Sequence, residues 1–389
     1  MNNNKKTIKL GVLSNEFFDV KLGRMGGFGW AVRQLVEFFT SKPDSNIEVV
    51  LLAGNKLVSK ETMPDAVHGV KIVYRYGNTA RHIRALKKEK IDLILTIDYR
   101  SSYRKVLNRL PFTPVLIWVR DPRTAEDVKK VQSIRIPNEP GVVPKGLEFV
   151  DCTSVRRLIK FSRLYGRKIT FAATTPFLLH KIPGTYGLDF ENPHILPNII
   201  NLTSDKIEKS KKPKVVFLGR LDPYKRPWLF AELAGHFPDV DFIFLGQDHF
   251  EGAGTWKIEN IPPNVQFMGH VNETEKQEFL KAAWVLINTS VHEGLAVSFL
   301  EALKMETPLL SSVNPENTVS RFGLHVGNFG GDGREAIPYF VKGLTQLLEN
   351  ENMRNELGKA GRKWVEEVHN EQTFFEAFRG ISKTLGVKM

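Results

Sequence analysis

Between Ala282 and Leu303 the chain passes from an apolar strand pattern through a tight turn into a helical pattern. This junction limits the possible folds more than any other stretch. Ala282-Ala-Trp-Val-Leu-Ile-Asn288 reads as a buried strand, and Glu293-Gly294 supplies the turn. Leu295, Phe299, Ala302 and Leu303 then fall at i, i+4, i+7 and i+8, one stripe of a helix. The plan recurs near the start, where Ile8–Leu13 leads through Gly26 and Gly27 into a stripe of Ala31, Leu35, Phe38 and Phe39. Further strands are predicted at 48–52, 70–74, 93–97, 115–119 and 169–173, with helical patterns between them. That alternation calls for an α/β protein with parallel sheets and helices on both faces. In such a sheet ligands bind at the carboxyl ends of the strands.

Two carboxylates mark the junction. Glu293 stands at the turn and Glu301 eight residues on, about 12 Å along a helix axis at about 1.5 Å per residue. Glu301 points away from the apolar stripe. The helix start at Gly294, Leu295 and Ala296 offers free N–H groups that suit a phosphate. A diphosphate there, with hydroxyl-bearing groups to either side, has the layout of a nucleotide sugar. The bland alternative is a solvated glutamate on a helix and another that only favours its dipole.

Other polar groups gather at predicted strand ends. Arg220 and Lys225 follow the strand 214–218, where two cations can reach one anion. Asp98 and Arg100 end another strand, and Arg120 and Asp121 a third. A structural ion pair is the competing account of Arg120 and Asp121. Gly269 ends the pattern 264–268 and permits close approach of a ligand to the backbone. Asp239-x-Asp241 has the form of a metal-binding pair, but it precedes its strand and reads as a solvated turn. No metal site is expected.

Composition narrows the class. The 389 residues suffice for two domains, and no run of 18 apolar residues is present to span a bilayer. One cysteine, Cys152, excludes an internal disulfide and a cysteine-based zinc site. With no secretory leader pattern at residues 1–6, the expectation is a cytoplasmic protein. The net charge of +12 is uneven. Fourteen Lys and Arg face six Asp and Glu between Arg81 and Arg135, and six basic residues and no acid lie between Arg156 and Lys168. Such a face attracts polyanions, so peripheral contact with the inner membrane face is a further expectation.

Glu293-x7-Glu301 within His-Glu-Gly-Leu-Ala…Glu-Ala resembles the signature of the family 4 retaining glycosyltransferases, which have the GT-B fold. The resemblance extends to Gly-Arg220-x4-Lys225, to Asn264–Gly269 and to Leu196-Pro-Asn198; it is strong over 195–330 and weak before that. It implies two Rossmann-like domains with parallel sheets facing across a cleft. Residues 1–200 would form the acceptor domain, capped by the last helix, 371–389, with Phe374, Phe375 and Phe378 as its apolar face; 201–370 would form the donor domain, after a lysine-rich linker at 202–214. It also implies roles. Glu293 contacts the transferred sugar, Glu301 the ribose, Arg220 and Lys225 the diphosphate, Gly269 the base region, and Gly26 and Gly27 the donor phosphates and acceptor. Arg120 departs from the pattern, because the family carries a histidine there; arginine does not shuttle protons. Only its location is carried over, with Asp98 and Arg100, to the acceptor side, and Asp121 is the one evident candidate base.

The expected reaction is metal-independent, retaining transfer of a hexose, glucose or a relative, from a UDP-sugar to a hydroxyl of a saccharide or lipid-linked saccharide. No cofactor beyond the nucleotide sugar is expected, and no nucleic acid partner. Three rivals stand beside this reading. An oxidoreductase would need a G-x-G-x-x-G fingerprint with a following acid, which the chain lacks. A polyanion-binding protein would explain the charge, and a non-catalytic sugar-nucleotide sensor would explain Arg120.

Overall fold

The computed structural model describes residues 7–17, 26–56, 64–75, 77–137, 152–188, 193–202, 206–248 and 260–389. The chain divides into two compact units. The first comprises Met1–Arg123, Phe149–Ile199 and His369–Met389, the second Thr124–Glu148 and Ile200–Val368. Among the described residues no helix is long and apolar enough to cross a membrane.

In chain order the elements before the second sheet are β1 (Ile8–Ser14), α1 (Gly27–Ser41), β2 (Ile47–Lys56), β3 (Ala66–Val67), β4 (Val70–Arg75), α2 (Thr79–Glu89), β5 (Leu93–Ile97), α3 (Tyr103–Leu107), β6 (Val115–Val119), α4 (Ala125–Gln132), α5 (Cys152–Leu164), β7 (Ile169–Ala173), α6 (Pro176–Tyr186) and β8 (His194–Ile195). The first sheet runs β3-β4-β2-β1-β5-β6-β7-β8. All its pairings are parallel except β3 with β4. Its central strands β5 and β6 are buried throughout, as parallel strands covered on both faces require.

The second sheet is built from β9 (Lys214–Leu218), β10 (Asp241–Leu245), β11 (Val265–Phe267), β12 (Val285–Asn288), β13 (Leu309–Ser311) and β14 (Gly323–His325). Its order is β11-β10-β9-β12-β13-β14, all parallel. Between them come α7 (Pro227–Ala234), α8 (Glu273–Ala282), α9 (Val297–Leu303) and α10 (Thr318–Phe322), and after them α11 (Ile337–Glu349), α12 (Glu351–Val368) and α13 (Glu371–Thr384). Strand order reverses between β9 and β12, which pair directly as Val215 with Val285 and Val216 with Leu286. Loops leaving two such strands diverge and open a crevice at the carboxyl edge.

Three assignments differ from the sequence reading. Residues 124–137 fall in the second unit, not the first. There Val131, Ile134 and Ile136 are buried in one core with Phe217, Trp228 and Leu229. The lysine-rich stretch after 202 is anchored rather than loose: the Lys209 ammonium donates to Met305 O at 2.8 Å and to the Thr307 hydroxyl at 2.7 Å. The helix after Glu293 starts at Val297 and runs for 7 residues, so the polar turn before it is longer than the stripe implied. In the first unit α13 lays Phe374 and Phe378 against Phe38 and Phe39 of α1, with centroids 5.4–6.3 Å apart. Each such buried ring contributes roughly 1.5–3 kcal/mol.

Candidate active site

The carboxyl ends of β9 and β12 carry the main polar cluster of the second unit. Thr289 ties the two loops together, its hydroxyl donating to Lys225 O at 2.6 Å and to Arg226 O at 3.0 Å. Val291 N donates to Tyr224 O at 2.9 Å. At the centre the Lys225 ammonium contacts the Glu293 carboxylate directly. The same Glu293 Oε1 accepts from the Ser290 hydroxyl at 2.6 Å and from Asn288 Nδ2 at 3.2 Å. Burial pushes the Glu293 carboxyl up; Lys225 and the Ser290 and Asn288 hydrogen bonds outweigh it and hold the group below the usual range. Glu293 is therefore an oriented anion, with one oxygen engaged by all three donors.

Arg220 joins this cluster through Asp222. Its Nη2 lies 3.3 Å from Asp222 Oδ2, and Asp222 Oδ1 accepts from Lys225 N at 3.1 Å. The Arg220 side chain is 47% exposed, so its guanidinium is open to an incoming anion. Gly219 and Gly246 follow β9 and β10. A Cβ on Gly246 would lie 1.8 Å from Gly219 O, so only glycine lets these two loops cross. Gly269 follows β11 at φ +66, with no described residue within 4 Å of where a Cβ would stand. Beside it Phe267 and Met268 are exposed apolar side chains, and Phe267 stacks on Phe244 at 4.6 Å. The edge thus presents an open glycine step next to an apolar surface.

Glu301 is brought to a second cluster, on α9. It is buried and contacts the Lys276 ammonium of α8, which also lies 2.9 Å from Glu273. Burial pulls the Lys276 ammonium down, but Glu301 and Glu273 hold it above the usual lysine range. Lys304, buried one turn on from Glu301, is depressed by its own burial. Gly294, Leu295 and Ala296 lie between the two clusters in sequence, with Leu295 and Ala296 buried. Asp241 opens β10 at the amino edge and pairs with Lys212, away from these groups. Among the described residues no three His, Cys, Asp or Glu side chains group to hold a metal ion.

The first unit has its own polar edge. Asp98 sits after β5 at φ +57, and its carboxylate is turned inward. It accepts from Tyr186 OH at 2.8 Å, Tyr99 N at 2.9 Å and Asp121 N at 3.1 Å. Burial raises its pKa. Arg120 is also turned in. Its guanidinium lies 4.4 Å over the Trp118 ring and donates to Asn198 Oδ1 at 2.5 Å, while its Nη1 is buried with no hydrogen-bond partner among the described residues. Burial lowers it to about 10. Asp121 pairs with Arg123 at 2.7 Å, and Arg100 lies 5.5 Å over the Phe28 ring. Gly26 N and Gly29 N both donate to the Glu16 carboxylate, at 2.9 and 3.1 Å, so an internal anion caps α1. Gly27 has no described residue within 4 Å of a Cβ position.

Asp222, Ser290, Lys276, Lys304 and Glu16 were not singled out from the sequence. Asp222 is two residues past Arg220, the one signal that was available. Lys276 belongs to a capping-box helix start and gives no sign of its partner on α9.

Residues 200–364 match the family described as glycosyl transferases group 1. A curated relative from Campylobacter jejuni, GalNAc-alpha-(1->4)-GalNAc-alpha-(1->3)-diNAcBac-PP-undecaprenol alpha-1,4-N-acetyl-D-galactosaminyltransferase, is 30% identical over 154 residues. That match covers 38% of this chain and only 42% of the relative's length. Among solved structures, sucrose-phosphate synthase from Thermosynechococcus elongatus superposes with TM-score 0.71 at 16% identity, over 97% of this chain and 99% of that one. Anabaena HepE in complex with UDP-glucose gives 0.65 at 14%, over 97% and 99%. At these identities the structures show the shared fold, which is GT-B. The matched stretch, residues 200–364, is the one that carries Arg220, Lys225, Glu293 and Glu301.

Proposed function

We propose that the protein is a retaining, metal-independent glycosyltransferase that moves a hexose from a UDP-sugar to a hydroxyl of a saccharide or lipid-linked saccharide. The observation that carries this reading is the Lys225–Glu293 contact at the β9/β12 edge, with Arg220 exposed beside it. Breaking the bond from sugar to diphosphate leaves negative charge on the phosphate and positive charge on the ring. Lys225 and Arg220 stabilise the former; each donor aimed at developing charge is worth roughly 3–4 kcal/mol. Glu293, fixed by Ser290 and Asn288, accepts from sugar hydroxyls with its second oxygen and orients the ring.

The rest of the donor follows the same edge. The base lies along Gly269 and the apolar Phe267 and Met268, and Glu301 takes the ribose hydroxyls. Gly294, Leu295 and Ala296 pass the phosphates. On the first unit, Gly26, Gly27, Arg100 and Asp121 serve the acceptor, whereas Asp98 and Arg120 hold that edge in shape from within. Departing phosphate takes the acceptor proton on the face it leaves, which yields retention.

UDP supports this reading as the base because one neighbour of the same fold holds UDP-glucose. Calorimetry with UDP, GDP and ADP tests it: UDP binds at least tenfold tighter than the others. Turnover of UDP-glucose, UDP-galactose and UDP-N-acetylhexosamines against water and saccharide acceptors then ranks the sugar. Proton NMR of the product shows the donor's anomeric configuration. A protein that binds none of the three diphosphates, or a product of inverted configuration, overturns the assignment.

A further inference from the structure

The carboxyl end of α5 carries an apolar knob that no described residue covers. Phe112 is 75% exposed, Leu164 80% and Tyr165 41%. These side chains are not scattered. Phe112 and Tyr165 meet edge to face at 5.6 Å, and Tyr165 meets Phe161 at 4.7 Å. The knob is also held rigid from beneath. Buried Arg167 donates to Leu107 O at 2.6 Å and Leu110 O at 3.2 Å, and to the Ser162 hydroxyl at 2.7 and 3.0 Å. That staple fastens the turn carrying Phe112 to the helix end carrying Leu164 and Tyr165. An internal guanidinium spent on presenting exposed rings is hard to reconcile with a merely solvated corner.

Cations surround the knob. Arg157, Lys160 and Leu164 follow at spacings of three and four on α5, which puts them on one helix face, and Arg163 and Lys168 are exposed beside them. Lys168 reaches Thr384 O at 3.2 Å, which brings the end of α13 with Lys383 into the same surface. No Asp or Glu occurs in the sequence from Tyr99 to Arg120 or from Cys152 to Leu188. Exposed single apolar residues are ordinary, but a contiguous apolar knob flanked by cations, on stretches of sequence without a carboxylate, has the chemistry of an interfacial membrane contact.

We propose that this surface docks on a bilayer bearing anionic phospholipids. Phe112, Leu164 and Tyr165 enter the headgroup boundary, and Arg157, Lys160 and Arg163 lie over lipid phosphates. A soluble polyanion would use the cations and leave the rings without a purpose. A second copy of the chain would bring two positive faces together. The inference rests on the first unit alone and does not depend on the donor reading.

Flotation of the full chain with vesicles tests it, using phosphatidylcholine alone and with 30% phosphatidylglycerol at about 0.1 M KCl. Binding is expected on the anionic vesicles and at least tenfold weaker on phosphatidylcholine alone. Arg157→Glu with Lys160→Glu and Arg163→Glu lowers it at least a hundredfold, at about fivefold per cation removed and more for reversal. Phe112→Ser with Leu164→Ser lowers it at least tenfold and abolishes whatever binding survives 0.5 M KCl. All five positions are exposed, and unchanged circular dichroism and thermal midpoint establish that the variants fold. Leu164→Trp is an independent readout, with a blue-shifted emission on anionic vesicles only. Absence of vesicle binding overturns the proposal. So does wild-type binding by the apolar variant with full competition by heparin, which marks a polyanion site. Vesicle-free self-association lost in the apolar variant marks a dimer surface and overturns it equally.

Discussion

The Lys225 ammonium lies against the Glu293 carboxylate, 68 positions away in sequence, and both are largely withdrawn from solvent, at 19% and 11% side-chain exposure. Each charge offsets the other's desolvation. Lys225→Met leaves Glu293 among Ser290 and Asn288 without a cation, and removing one partner of a buried pair costs about 3–5 kcal/mol. The solvent that remains at this edge puts the expectation at the lower end. Glu293→Gln in the same background restores most of it, since a neutral amide needs no counterion. Thermal unfolding of the two singles and the double closes the cycle. Additive losses would mean that the two side chains do not interact as the geometry shows.

The same substitution separates binding from chemistry. In the proposed reaction Lys225 meets charge that grows as the glycosidic bond breaks, so Lys225→Met and Arg220→Met each lower kcat by two to three orders of magnitude. Arg220 is half exposed and, among the described residues, pairs with Asp222 at 3.3 Å, so its removal barely moves the unfolding midpoint. An Arg220 variant with normal turnover of a UDP-sugar would remove it from the diphosphate site.

Gly246 and Gly269 make a controlled pair. A Cβ on Gly246 meets Gly219 O at 1.8 Å, backbone against backbone, so Gly246→Ala forces the β9 and β10 loops apart. The expected loss exceeds 3 kcal/mol, with the β9 loop and Lys225 displaced. At Gly269 the space is open but φ is +66, so Gly269→Ala costs about 1 kcal/mol of backbone strain. If the base lies along this step, the added methyl weakens UDP binding while UMP and UDP lose affinity in equal proportion. Urea unfolding and calorimetry measure the two effects separately.

Much of this site was legible because it is local. Strand, turn and helix at Val285–Leu303 leave a period in the sequence, and Glu293 and Lys225 sit at the strand ends where a parallel sheet gathers its ligands. Pairing across the fold leaves no period. The segment holding Val131, Ile134 and Ile136 has an apolar face whose sequence cannot say which of two cores it enters; the structure puts it in the second. Asp98 and Arg120 stand at strand ends, yet their side chains turn inward to Tyr186 and Asn198, partners 88 and 78 positions on. Lys209 lay in a run of lysines that reads as solvated, and only the carbonyl of Met305 and the hydroxyl of Thr307 give it a place.

Two buried histidines lower stability in acid. His369 is buried and accepts from Asn198 N at 3.2 Å; burial first, and Arg120 second, lower it to about 3. His82 is buried beside Arg109; burial, then Arg109 and Arg75, lower it to about 4. Both are held neutral in the folded chain and take up a proton near 6.5 when unfolded. Between pH 6.5 and the folded values the unfolded state binds more protons, so stability is fully present above 6.5 and falls as pH falls. Each contributes a slope of up to about 1.4 kcal/mol per pH unit in that window. His369→Asn is destabilised at pH 7 yet loses less between pH 6.5 and 4 than the parent. Parallel pH curves for the two proteins would mean that His369 is protonated in the folded state.

Lys276 stands between Glu273 and Glu301, and its loss tests whether Glu301 is structural, a ribose ligand or both. Lys276→Met removes the ammonium that pairs directly with both carboxylates, one of them at 6% side-chain exposure, and costs about 3 kcal/mol, the low end because Lys304 remains nearby. Glu301→Gln added to that background recovers part of it, as a purely structural pair requires. The ribose role makes a separate demand. A carboxylate that accepts from the ribose hydroxyls gains about 1.5–3 kcal/mol per charged hydrogen bond. The parent therefore prefers UDP over its 2′,3′-dideoxy analogue by at least tenfold, and Glu301→Gln narrows that preference while leaving affinity for the analogue unchanged. If Glu301→Gln weakens both ligands alike, the carboxylate acts only through Lys276 and the fold of α8 on α9.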